Sequence, residues 1–91
     1  MKTVLVVDDE PLLTELLEFR LSARNYNPVI ARDGREALAR LEDSAPDAVV
    51  LDAMMPVHDG FEVLRRMRAS PAHAQTPVIM LTARRGEQDV V

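Results

Sequence analysis

Short, wholly apolar runs alternate along this chain with longer stretches in which apolar residues recur every three or four positions. Thr3–Val7 is rich in β-branched residues, too short for a helix, and stops at Asp8-Asp9-Glu10-Pro11, which predicts a buried strand. Beyond it Leu13, Leu16, Leu17 and Leu21 follow helical spacing, with Asp9 or Glu10 at the cap and Pro11 suited to the first turn. Asn25 to Asn27 punctuates, and residues 28–31 resume an extended segment. Asp33 stands three residues before Glu36, as in a capping box, and opens a second helix running to about Glu42. After Pro46-Asp47, Ala48-Val49-Val50-Leu51 is continuously apolar, as in a parallel strand covered on both faces, and Asp52 ends it. A loop with Pro56 and Asp59-Gly60 leads to a third helix with Phe61, Leu64 and Met67 as its apolar stripe, closed by Pro71. Pro77 introduces a fourth strand, Val78–Leu81, ended by Thr82, and a further helix begins near Gly86. The order βαβαβαβ with short links predicts one parallel α/β sheet with helices on both faces and ligands at the carboxyl ends of its strands.

Composition narrows the choice of chemistry. Ninety-one residues leave no room for a second domain, and the core is thin at that length. The absence of cysteine removes disulfides, thiolate catalysis and the usual zinc ligands together, with the cytoplasm as the default location. No apolar run approaches the roughly 20 residues that cross a bilayer, and the start does not fit a signal peptide. A net charge of -4, with one lysine among 11 basic residues, argues against direct DNA binding. Gly34, Gly60 and Gly86 are isolated, with no lysine following any of them, so there is no phosphate loop of the nucleotide-hydrolysing kind.

Asp8, Asp9 and Asp52 each follow an apolar strand, so a parallel sheet brings them out at one edge. Three acids in one cleft repel one another unless a cation neutralises them or one takes up a proton, and oxygen-only ligands favour Mg²⁺ or a similar hard ion. The competing reading is that Asp8 or Asp9 merely caps a helix. It is weaker for Asp52, whose loop runs on through Met54, Met55 and Pro56 before the next helix. Thr82 ends the fourth strand, where its hydroxyl would lie beside Asp52.

Val4-Leu5-Val6-Val7-Asp8-Asp9-Glu10-Pro11, then Leu51-Asp52-Ala53-Met54-Met55-Pro56-Val57-His58-Asp59-Gly60, then Pro77-Val78-Ile79-Met80-Leu81-Thr82-Ala83-Arg84 occur in the order of one family's motifs. Together they resemble the receiver domain of two-component response regulators across essentially the whole chain, and the last motif looks most like the OmpR/PhoB type. The resemblance implies a flavodoxin-like, doubly wound sheet of strand order 2-1-3-4, residues 1–91 forming a single receiver domain without its fifth strand and last helices. It implies that Asp52 accepts a phosphoryl group from the phosphohistidine of a sensor histidine kinase, so that the chain is a phosphoacceptor and not a conventional enzyme. Mg²⁺ would be held by Asp9, Asp52 and the backbone carbonyl of Met54, with Asp8 acting through a water. Thr82 would contact the phosphoryl group and move with it, beside the small Ala83. The family also places a lysine at the end of the fifth strand; Lys2 is the only lysine here and lies at the opposite end of the first strand, so a low phosphoryl yield is expected. Arg84 and Arg85 are read as solvated loop residues.

Two other functions fit parts of the pattern. One is a receiver-derived interaction module that self-associates, with Val78, Met80 and Val90-Val91 near the contact because the fourth strand lacks its flanking cover. The other is an aspartyl-phosphate phosphatase, which wants an acid where Met54 stands. His58 and His73 lack metal-ligand spacing and are expected at the surface; Arg65, Arg66 and Arg68 are expected on the wet face of the third helix.

Overall fold

The computed structural model describes residues 1–53 and 60–81. The elements are β1 (Thr3–Val7), α1 (Pro11–Ala23), β2 (Asn27–Ala31), α2 (Gly34–Ser44), β3 (Ala48–Asp52), α3 (Gly60–Ala69) and β4 (Val78–Leu81). All strand pairs are parallel, in the order β2-β1-β3-β4, as expected. The third to fifth residues of β1 and β3 are buried or half-buried on both faces, which is why their sequences read as unbroken apolar runs.

Alternation along the strands sorts the side chains into two layers. Leu5 and Val7, Ala31, and Val49 and Leu51 share one core with Ala37 and Leu41 of α2 and Val63 and Met67 of α3. Val4 and Val6 point the other way and are also buried, under α1, which packs against β1 and β2. Across that second face Ile30, Val6, Val50 and Ile79 lie in one row. Val6 is fully buried, Val50 half-buried and Ile79 61% exposed, because α1 covers only the β2-β1 half of the sheet.

Three expectations about side-chain placement change. Leu13, Leu17 and Leu21 turn inward with the buried Thr14, but Leu16 faces solvent. In α3 the inward stripe is Gly60, Val63 and Met67, with Leu64 half-buried, while Phe61 is exposed: the tight seat of Gly60 fixes the roll of the helix. Val78 and Met80 pack against the α2/α3 core, so the outward side chain of β4 is Ile79; Val90 and Val91 lie outside the described residues.

Caps follow the sequence closely at α2 and less so at α1. The Asp33 carboxylate accepts the Glu36 amide at 2.8 Å, while the Glu36 carboxylate reaches back to the Arg32 amide at 2.6 Å. Glu10 occupies the cap position of α1 without a side-chain bond, and Pro11 takes the first turn. Helix α2 ends on Ala45 in a left-handed conformation, φ 44°. That conformation crowds a Cβ against the backbone. Ala45→Gly is therefore expected to stabilise the fold by about 1 kcal/mol, read as a higher midpoint in urea at unchanged slope.

The link from α3 to β4 is held by Arg68, whose Nη1 donates to the carbonyls of His73 (3.3 Å), Ala74 (3.0 Å) and Thr76 (2.8 Å). Arg68 is thus a fastener of this link and not simply part of a wet face; replacing it with aspartate removes three bonds. Arg65 and Arg66 do pair with Glu62 on the exposed side. His73 is buried, contrary to the surface position expected, because the link folds back over Leu41 and Glu42 of α2.

Candidate functional site

The parallel register that places Val7 opposite Leu51 carries Asp8 and Asp52 to the same level at the carboxyl ends of β1 and β3. One carboxylate oxygen from each of Asp8, Asp9 and Asp52 lies within 4.8 Å of the others. Asp52 is fully buried and Asp8 is 1% exposed, while Asp9 opens to solvent and leaves the cluster accessible from one side. Two charged groups at such depth are costly alone, and a cation between them offsets both desolvation and mutual repulsion.

Asp8 also has a local task. Its Oδ1 accepts the Glu10 amide at 2.9 Å, an Asx-type turn that bends the chain from β1 into α1. The Asp8 amide donates to Ala31 at 3.1 Å, extending the β1–β2 ladder by one residue. The helix-capping alternative therefore fails for Asp8 in its strict form, since the accepted amide precedes the helix.

On the other side, the Ala53 amide donates to Leu81 at 3.0 Å, tying the end of β3 to β4. The Gly60 amide donates to Ala53 at 3.1 Å, so α3 begins directly against the end of β3. A Cβ on Gly60 would sit 2.3 Å from the Asp52 carbonyl oxygen and 2.7 Å from the Ala53 Cα. Gly60, which closes the motif that begins at Leu51-Asp52, thus packs on the backbone of the acceptor residue, a contact across eight residues that local spacing does not signal. Met54 and Thr82, assigned to metal and phosphoryl contacts by resemblance, lie outside the described residues, as do His58, Ala83, Arg84 and Arg85.

The donor set fits a hard divalent ion. Three carboxylate oxygens within 4.8 Å of one another can share one oxygen-preferring ion, directly or through its bound water. Lys2 precedes β1 and is at the far end of the strand from this cluster. Among the described residues no helix is long and apolar enough to cross a membrane.

Comparison with known proteins places the chain and its fold in a family. The transcriptional regulatory protein TrcR of Mycobacterium tuberculosis is 46% identical over 88 residues, 97% of this chain and 34% of that protein. The N-terminal domain of a response regulator receiver protein from Methanoculleus marisnigri superposes with a TM-score of 0.87 at 42% identity, covering 92% of this chain and 68% of that one. The receiver domain of the sensor histidine kinase PA1611 from Pseudomonas aeruginosa, with a magnesium ion coordinated in its active site cleft, superposes with a TM-score of 0.85 at 31% identity, covering 93% and 71%. The chain spans about a third of the length of the curated relatives it matches, which are OmpR/PhoB-family response regulators. The response regulator receiver domain model matches residues 4–91, and the chain belongs to that family of two-component signalling modules.

Proposed function

We propose that this chain is a cytoplasmic phosphoacceptor in which Asp52 takes a phosphoryl group from the phosphohistidine of a sensor histidine kinase. The observation that carries this reading is the convergence of Asp8, Asp9 and Asp52 at one end of the sheet, with Asp52 buried and Asp9 open to solvent. One Asp52 oxygen forms the new O–P bond as the P–N bond to the donor imidazole breaks; the electron pair leaves on that nitrogen, which is protonated as it departs. Asp9, Asp52 and the Met54 carbonyl would hold Mg²⁺, with Asp8 acting through water. The ion would supply charge neutralisation for the carboxylates and the phosphoryl oxygens. The chain's own contribution is orientation: the Asp8 turn and the Gly60 seat hold the two carboxylate-bearing strand ends before any donor arrives. The Thr82 hydroxyl would donate to a phosphoryl oxygen. Such a domain assists its own phosphorylation without turning over as a conventional enzyme. Nothing in the fold or the cluster favours a phosphatase.

The test is intact mass after incubation with acetyl phosphate. A single phosphoryl increment that requires Mg²⁺ and is lost with chelator is expected. No increment, or the same increment with chelator, would contradict the proposal. Thermal melts supply the metal arm: at ten times its dissociation constant, Mg²⁺ should add about 1.4 kcal/mol of stability.

A further inference from the structure

The carboxylate cluster attracts a metal ion but repels the anion that would react there. A phosphodonor dianion entering the cleft of Asp8, Asp9 and Asp52 meets three acids, so the placement of the chain's positive charges matters. Among the described residues Arg40 pairs with Asp43, Arg65 and Arg66 pair with Glu62, and Arg68 is bound to three carbonyls. Lys2 precedes β1, and Arg20 and Arg24 stand at the end of α1, which puts these three at the amino edge of the sheet. Arg32 and Arg35 are the described cations left at the carboxyl edge, and neither side chain is committed to an ion pair.

The strand register fixes the level of Arg32. Val7 pairs with Ala31 on one side and Leu51 on the other, so Arg32, Asp8 and Asp52 stand side by side at the ends of three neighbouring strands. The Asp8 amide donates to the Ala31 carbonyl at 3.1 Å, and the Arg32 amide donates to the Glu36 carboxylate at 2.6 Å, which pins the backbone that carries the guanidinium. Strands about 4.8 Å apart put Arg32 one spacing from Asp8 and roughly 10 Å from Asp52, a distance comparable to the screening length at about 0.1 M salt. Arg35 follows in the first turn of α2, the helix end at which a cation is disfavoured, so helix stability does not account for its charge. We infer that Arg32, reinforced by Arg35, steers anionic phosphodonors into the carboxylate cleft, a role that rests on the phosphoacceptor reading of Asp52. The recognised chemistry is the phosphoryl dianion itself, and the attraction acts at a distance without a fixed contact. The same charge repels Mg²⁺, so its removal should slow capture of the donor and tighten the metal.

The test pairs two measurements: the rate of labelling by sub-saturating acetyl phosphate at near-saturating Mg²⁺, and a Mg²⁺ titration of the unlabelled chain read by thermal shift. At about 0.1 M ionic strength Arg32→Ala should slow labelling about 2-fold and Arg32→Glu about 5-fold, while Mg²⁺ affinity rises by similar factors. Both effects should vanish at about 1 M salt, where the screening length falls to about 3 Å. Arg32→Lys should behave as the parent chain. So should Lys2→Gln, which removes the same charge at the opposite edge. A parent that labels at a rate Arg32→Glu leaves unchanged would overturn the steering role alone. So would slower labelling that persists at high salt together with weaker Mg²⁺ binding, which would make Arg32 a structural residue. A parent chain that takes no phosphoryl group would contradict the phosphoacceptor reading, and this role with it.

Discussion

Asp52→Asn is expected to abolish phosphoryl incorporation and, without metal, to make the protein more stable. Three carboxylates with oxygens within 4.8 Å repel one another, and Asp52 is the fully buried member. Two unit charges at that separation cost about 3 kcal/mol at an effective dielectric constant near 20. Screening at the exposed Asp9 and the other interactions of these carboxylates reduce the gain to a fraction of that figure. For a domain of this size that is a rise of several degrees in melting midpoint. The amide keeps the shape and one carbonyl acceptor, so packing should be little disturbed. Added Mg²⁺ should raise the midpoint of the parent chain more than that of the variant and narrow the gap between them. If Asp52→Asn lowers the midpoint without metal, repulsion does not dominate the cluster.

Gly60→Ala should damage the site from outside it. The added methyl would lie 2.3 Å from the Asp52 carbonyl oxygen and 2.9 Å from the Asp52 carbonyl carbon, and these are backbone atoms of a central strand that cannot swing aside. Either α3 lifts off the sheet or the end of β3 moves. The expected cost is about 1–3 kcal/mol of stability together with about a 10-fold to 100-fold slower reaction with acetyl phosphate, since the displaced atoms belong to the acceptor residue. Phe61→Ala, one residue along but 55% exposed, should leave labelling near the parent level. Equal rates for Gly60→Ala and the parent chain would show that the close approach does not position Asp52.

How much of this was legible in the sequence depends on whether the signal was local. The parallel sheet was readable because β3 is covered on both faces and therefore continuously apolar, and Asp8, Asp9 and Asp52 were readable because they stand at the carboxyl ends of apolar runs. Asp33 and Glu36 announced the start of α2 through a contact spanning three residues. What failed was tertiary. Apolar spacing alone could not separate the inward Leu13, Leu17 and Leu21 from the outward Leu16, because α1 is apolar over much of its circumference. The spacing of Phe61, Leu64 and Met67 reads as the apolar stripe of α3, yet the roll of the helix is set by Gly60 against Ala53. The burial of His73 and the three carbonyl bonds of Arg68 depend on how the α3–β4 link folds back, for which no short-range pattern exists.

The central claim is that the strand-end carboxylates form one phosphoacceptor site with Asp52 as the residue that takes the group. Its most direct test is peptide mapping of the chain after reaction with acetyl phosphate and Mg²⁺, with the acyl phosphate trapped by borohydride reduction before digestion. The account predicts modification at Asp52 alone. Modification at Asp8 or Asp9, or at several carboxylates equally, would contradict it.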